Sequence, residues 1–124
     1  MVWIPFFSIF GLYFIDCRIK SLPDGTDKLK PMIRMILEFP NNFNGFNLNS
    51  ELLKFNKRNN IIDLFVKYKL LNEFPESLFN LISLQSLIFY SDDSLYFPHK
   101  FDRLNNLIYI ITTAKKIDVV ESLD

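Results

Sequence analysis

The sequence predicts an α/β fold built as a short solenoid, with stacked strands forming a parallel sheet and short helices or 3₁₀ turns behind them. Three observations predict it. Phe74 to Leu87 reads FPESLFNLISLQSL, with apolar residues at Phe74, Leu78, Leu81, Leu84 and Leu87. The last four are three apart, too regular for a loop and too long for one strand. The pattern recurs 23 residues later at Phe97-Pro98, Phe101, Leu104, Leu107 and Ile110, a shift within the solenoid range. The same frame then fits a stretch that played no part in defining it: Ile9, Leu12, Phe14, Ile19, Leu22, Pro23 and Leu29.

Each part of the unit has a physical reason. Counting from its first apolar residue, the unit is apolar at positions 1, 4, 6, 11, 14, 18 and 21, with Pro at 15. Positions 4 and 6 alternate with 3, 5 and 7, the period of a half-buried strand. Proline at 15 suits a point that leaves the strand and needs no backbone donor. The three-residue spacing that follows suits a short helix or 3₁₀ turn. One unit alone exposes an apolar face, and only stacking buries it.

The frame divides residues 1–124, one domain by length, into units at about 9–31, 32–60, 61–83, 84–106 and a partial 107–124. Before the first, Trp3 and Phe6 fit positions 18 and 21 of a unit whose beginning is missing. The first unit has Cys17 at position 9, a weak Thr26 at position 18, and Asp24-Gly25 as a turn. The second begins at Met32, with Met35 and Leu37 in the strand, and then departs from the pattern. Phe39-Pro40 comes early, and Ile61 arrives 29 residues after Met32. Residues 41–60 are rich in Asn, which disfavours helix interiors and suits turns. A bulging or longer segment is expected there, with a short helix over Ser50–Phe55 capped by Ser50. The third unit carries Ile61, Leu64, Val66, Leu71, Phe74, Pro75, Leu78 and Leu81. In the fourth, Ser94 stands at position 11 with Leu95 beside it, and Asp92-Asp93 reads as a turn. The last has Leu107, Ile110, Thr112, Ile117 and Val120, with Glu121 in place of Pro. Neither end shows the polar capping unit that solenoids usually carry.

These residues resemble the leucine-rich repeat family. Leu22-Pro23, Phe74-Pro75 and Phe97-Pro98, with the 23-residue period, look most like its intracellular members. The resemblance implies a short horseshoe with the sheet on its concave face and helices or 3₁₀ turns on its convex face. It also implies protein–protein interaction through the concave face, and a structural role for Cys17, since the family usually has Asn or Cys there.

Composition narrows the function. Fourteen basic and fourteen acidic residues cancel, which argues against a nucleic-acid partner. No run of like charges points to a membrane surface. The apolar run Met1–Ile15 lacks a basic start and a cleavage site, and it meets Asp16 and Arg18 too soon for a span. It reads as the first strand preceded by the end of another unit; a secretory or membrane reading stays open beside this. The lone Cys17 favours a reducing compartment, so a cytoplasmic protein is expected. No catalytic constellation is legible. His99 has no partner cluster, and three glycines hardly supply a phosphate loop. The protein is therefore expected not to be an enzyme and to need no cofactor or metal.

The candidate site is a surface. Position 5 gives Tyr13, Ile36, Phe65, Ile88 and Ile111, an apolar column on the strand face that points away from the core. Position 7 adds Lys67 and Tyr90, and position 3 adds Tyr109. Exposed apolar patches mark interaction sites, and aromatic anchors mark hot spots. The plainer account is that β-branched and aromatic residues favour strands wherever they lie. A protein-binding module using Tyr13, Ile36, Phe65, Lys67, Ile88, Tyr90, Tyr109 and Ile111 is expected. The alternative is a structural segment of a larger repeat protein that stacks or self-associates through uncapped ends.

Overall fold

The computed structural model describes residues 6–7, 11–26, 34–55, 61–71, 73–91 and 98–113. Trp3, Ile9, Leu29, Met32, Asp92, Asp93, Ser94, Leu95, Phe97, Ile117, Val120 and Glu121 lie outside the described residues. The described residues form a six-stranded sheet in sequence order: β1 (Phe6–Phe7), β2 (Gly11–Ile15), β3 (Arg34–Glu38), β4 (Asp63–Lys67), β5 (Ser86–Tyr90) and β6 (Tyr109–Thr112). β2 to β6 are all parallel, so the chain is α/β, with few and short helices.

The register follows the spacing in the sequence. Leu12, Met35, Leu64, Leu87 and Ile110 pair in one row. Phe14, Leu37, Val66, Phe89 and Thr112 pair in the next row on the same face. Side chains alternate across a strand, so both rows face the core. In β2 to β5 every member of both rows is buried. The segments between strands return over this face and bury Leu22, Leu48, Leu52, Phe55, Leu78, Phe79, Phe101 and Leu104 against it.

The prolines start these return segments. Pro75 and Pro98 each precede a 3₁₀ helix, Glu76–Asn80 and His99–Arg103. The carbonyls of Pro23, Pro75 and Pro98 each accept a bond from the residue three ahead: Thr26 N–H at 3.2 Å, Leu78 N–H at 3.1 Å and Phe101 N–H at 3.3 Å. The bonding then steps on by threes. Leu81 N–H donates to Leu78 O and Leu84 N–H to Leu81 O, and Leu104 and Leu107 repeat this one unit later. The three-residue leucine spacing is thus the spacing of successive 3₁₀-type turns, which return each side chain to the same face. Thr26, weak in the sequence frame, is buried because its hydroxyl donates to Pro23 O at 2.6 Å.

The longer segment between β3 and β4 is organised by aromatic rings and one cap. Phe39 is buried and packs its ring 4.8 Å from both Phe46 and Tyr68 and 5.5 Å from Phe43. The Tyr68 hydroxyl donates to Phe46 O at 2.8 Å and accepts from Phe46 N–H at 3.0 Å. This pins the Asn-rich loop to the end of β4. A helix follows, α1 (Leu48–Leu53). It starts two residues before the expected Ser50, and its cap is Asn47 rather than Ser50. Asn47 is extended at φ −90° and ψ 90°, and its side chain accepts from Ser50 N–H at 3.0 Å. Asn and Ser are near-equal caps. The earlier start is favoured because it buries Leu48.

The first strand is a second correction. The repeat frame put Phe6 at the end of a return segment, but Phe6–Phe7 is a strand antiparallel to β2, with Phe6 opposite Tyr13 and Phe7 opposite Leu12. Two residues cannot define a period. The unpaired main chain at the edge of β2 offers hydrogen bonds that extended residues of high strand preference can take.

Candidate functional site

The sheet face turned away from the core carries the candidate residues. Tyr13, Ile36, Phe65, Ile88 and Ile111 pair with one another from strand to strand in one continuous row. The first four are half-buried, because row neighbours only a strand spacing apart cover one another's flanks. Ile111 is 39% exposed at the end of the row. Lys67 and Tyr90 are half-buried neighbours in the position-7 row, and Tyr109 is 47% exposed in the position-3 row. Phe65 and Tyr90 are brought together, edge to face, with ring centres 5.9 Å apart and planes at 78°.

Charges flank the apolar row and are neutralised across strands. At position 3 the Arg34 guanidinium reaches Asp63 at 3.3 Å. At position 7 the Lys67 ammonium lies 3.7 Å from Glu38. Hydrogen bonding to the Tyr13 side chain, then to Asp63, pushes the Arg34 pKa above its ordinary value, so the guanidinium is held charged. The sequence signal for both pairs was present: opposite charges occupy one position in adjacent units. Gly11 makes room for the Tyr13 side chain, because a Cβ there would lie 2.9 Å from the Tyr13 hydroxyl oxygen.

A shallow hollow of about 300 Å³ opens on this face, lined by Arg34, Ile36, Asp63, Phe65, Ser86 and Ile88. Three of these, Arg34, Asp63 and Ser86, fall at position 3 of the repeat frame on this face but were not among the expected partner-binding residues. They meet only because one position-3 row brings them side by side. A larger hollow of about 740 Å³ lies away from this face, between the Asn44–Asn47 loop with the start of α1 and the Phe74–Glu76 turn. Two of its polar lining residues are already engaged: Glu76 is ion-paired with Lys100, and Asn49 Oδ1 accepts from Ser77 N–H at 2.8 Å. The smaller hollow is the better candidate because it lies on the apolar row.

The other residues weighed in the sequence take structural places. Cys17 is buried, and its N–H donates to Glu38 O at 3.2 Å. Burial pushes its thiol pKa up, which disfavours the reactive thiolate. His99 is exposed on a return segment. Gly25, at φ +87°, takes the turn after Asp24, where glycine carries no steric penalty. Among the described residues no group of three or more His, Cys, Asp or Glu side chains could hold a metal ion. No helix among them is long and apolar enough to cross a membrane.

A scan of protein-family models, a search of curated proteins and a search of solved structures each returned no match.

Proposed function

We propose that this chain is a leucine-rich repeat solenoid whose concave sheet face binds another protein. The observation that carries the reading is the continuous row Tyr13–Ile36–Phe65–Ile88–Ile111, flanked by charges that already have partners. Apolar side chains are aligned there without return segments over them, and such patches mark interaction sites. The repeat assignment is supported by the common register of the five parallel strands and by the turns after Pro23, Pro75 and Pro98. The role is non-catalytic and needs no cofactor, and the buried thiol of Cys17 suits the reducing cytoplasm.

The test is a pull-down from the native host, comparing wild type with Phe65→Asp/Ile88→Asp after both are shown to keep the same far-ultraviolet circular dichroism. Partners should be retained by wild type and lost by the variant. Capture of the same set by both would remove the proposal.

A second reading is favoured by one observation. Ile108, just before β6, is 81% exposed, and Tyr109 and Ile111 of β6 are 47% and 39% exposed. Self-association there would make the chain a structural stacking unit. Sedimentation separates the two: a monomer at tens of micromolar supports recognition, and a dimer lost on Ile108→Lys supports stacking.

A further inference from the structure

We propose that the hollow between Ile36, Phe65 and Ile88 seats one tyrosine or tryptophan side chain of the bound polypeptide. This rests on the reading of the sheet face as a binding surface and adds the chemistry of its central contact. The hollow's volume of about 300 Å³ is at the small end of ligand pockets and suits one large side chain rather than a helix or a nucleotide. Its walls are apolar where a ring would lie. Ile36 and Ile88 flank Phe65 in the same row, and the Phe65 ring meets Tyr90 edge to face. A second ring can meet Phe65 in an offset or edge-on arrangement, the favoured geometries for aromatic pairs.

One end of the hollow is polar, where Asp63 and the Ser86 hydroxyl can accept hydrogen bonds beside the Arg34 guanidinium. Asp63 and Ser86 are register neighbours there. Asp63 gives one oxygen to Arg34, and a carboxylate has further acceptor sites. The Ser86 hydroxyl makes no hydrogen bond among the described residues, although Ser86 is half-buried. The carboxylate is already neutralised by Arg34, and Glu38 by Lys67, so the surroundings do not select a cation. The complement is an uncharged side chain with an apolar ring and one donor. Tyrosine and tryptophan have this form and are the residues most enriched at binding hot spots. Phenylalanine lacks the donor, and leucine lacks both ring and donor.

The test follows the isoleucine methyl resonances of the full chain while N-acetyl-tryptophanamide, N-acetyl-tyrosinamide, N-acetyl-phenylalaninamide or N-acetyl-leucinamide is added. The Ile36 and Ile88 methyls should shift and saturate with the first two. Loss of one hydrogen bond should weaken phenylalaninamide about five-fold, and Ser86→Ala should weaken tryptophanamide by a similar factor. Equal affinity for the phenylalanine and tryptophan amides would overturn the proposal. So would linear, non-saturating shifts, or shifts of the same methyls with protein concentration alone, which would mean a second copy occupies the hollow. If no amide saturates while Phe65→Asp/Ile88→Asp still loses partners, the aromatic seat falls and the face reading stands.

Discussion

Tyr68 shows how one side chain can fix an irregular loop. Its hydroxyl serves both the N–H and the C=O of Phe46. Tyr68→Phe keeps the ring but leaves two buried main-chain groups unpaired, so a loss of ~1–3 kcal/mol in urea denaturation is expected. The same residue gives an alkaline dependence. Burial pushes the Tyr68 pKa above its ordinary value, and the bonds to Phe46 only partly oppose this. Burial likewise raises Cys17. Each group is neutral when protonated and holds its proton more tightly in the folded state. Both contributions are therefore complete below the unfolded values, about 8.5 for cysteine and about 10 for tyrosine, and are lost as pH rises through the folded values. Stability should begin to fall above pH ~8.5, and Cys17→Ala should delay that onset toward pH ~10. An onset unchanged in Cys17→Ala would show that this thiol is not the group responsible. The Asn47 cap is the third residue-scale case. Asn47→Ala should cost ~0.5–2 kcal/mol, whereas Asn47→Ser should cost much less, because serine caps nearly as well.

At the scale of elements, the leucine spacing and the strand alternation were both legible in the sequence, for different reasons. Leu78, Leu81 and Leu84 repeat by three because they are joined by successive 3₁₀-type bonds. Leu87 and Phe89 repeat by two because they lie on one face of β5. Each period is local, so each can be read from one unit. What was not legible depended on choices between near-equals or on contacts between units. Asn47 and Ser50 are both good caps, and only the burial of Leu48 decides between them. The hollow at Ser86 exists only once Arg34, Asp63 and Ser86 are side by side, which needs the register of three strands. The docking of α1 was hidden in the same way. Glu51 is only 6% exposed and accepts from Leu22 N–H at 2.9 Å, 29 residues away, while pairing with Lys54. For the strands, Leu87→Ala removes a side chain with no exposed surface and should cost ~2–5 kcal/mol. An unchanged melting temperature would contradict the packing of the whole row.

The whole molecule is a set of strands stitched twice, once through the sheet and once through the return segments. Leu22 to Glu51, Asn49 to Ser77 and Glu76 to Lys100 form the second line of stitches. Neighbouring strands and their return segments therefore share both core and polar contacts, so on the repeat reading proposed above coupling between nearest neighbours should govern stability. Hydrogen exchange should show the amides of β3, β4 and β5 protected to a common level, with those of the longer segment before α1 opening at lower free energy. Protection that differs sharply between β4 and β5 would argue against such coupling. The antiparallel β1 adds a consequence for engineering. Its main chain lies along β2 at Leu12 and Tyr13, running the opposite way. A duplicate unit placed before β2 would meet a strand of the wrong direction, while one inserted between β4 and β5 would find parallel neighbours on both sides. The molecule thus has a preferred splice point, and any attempt to lengthen it should begin in its middle.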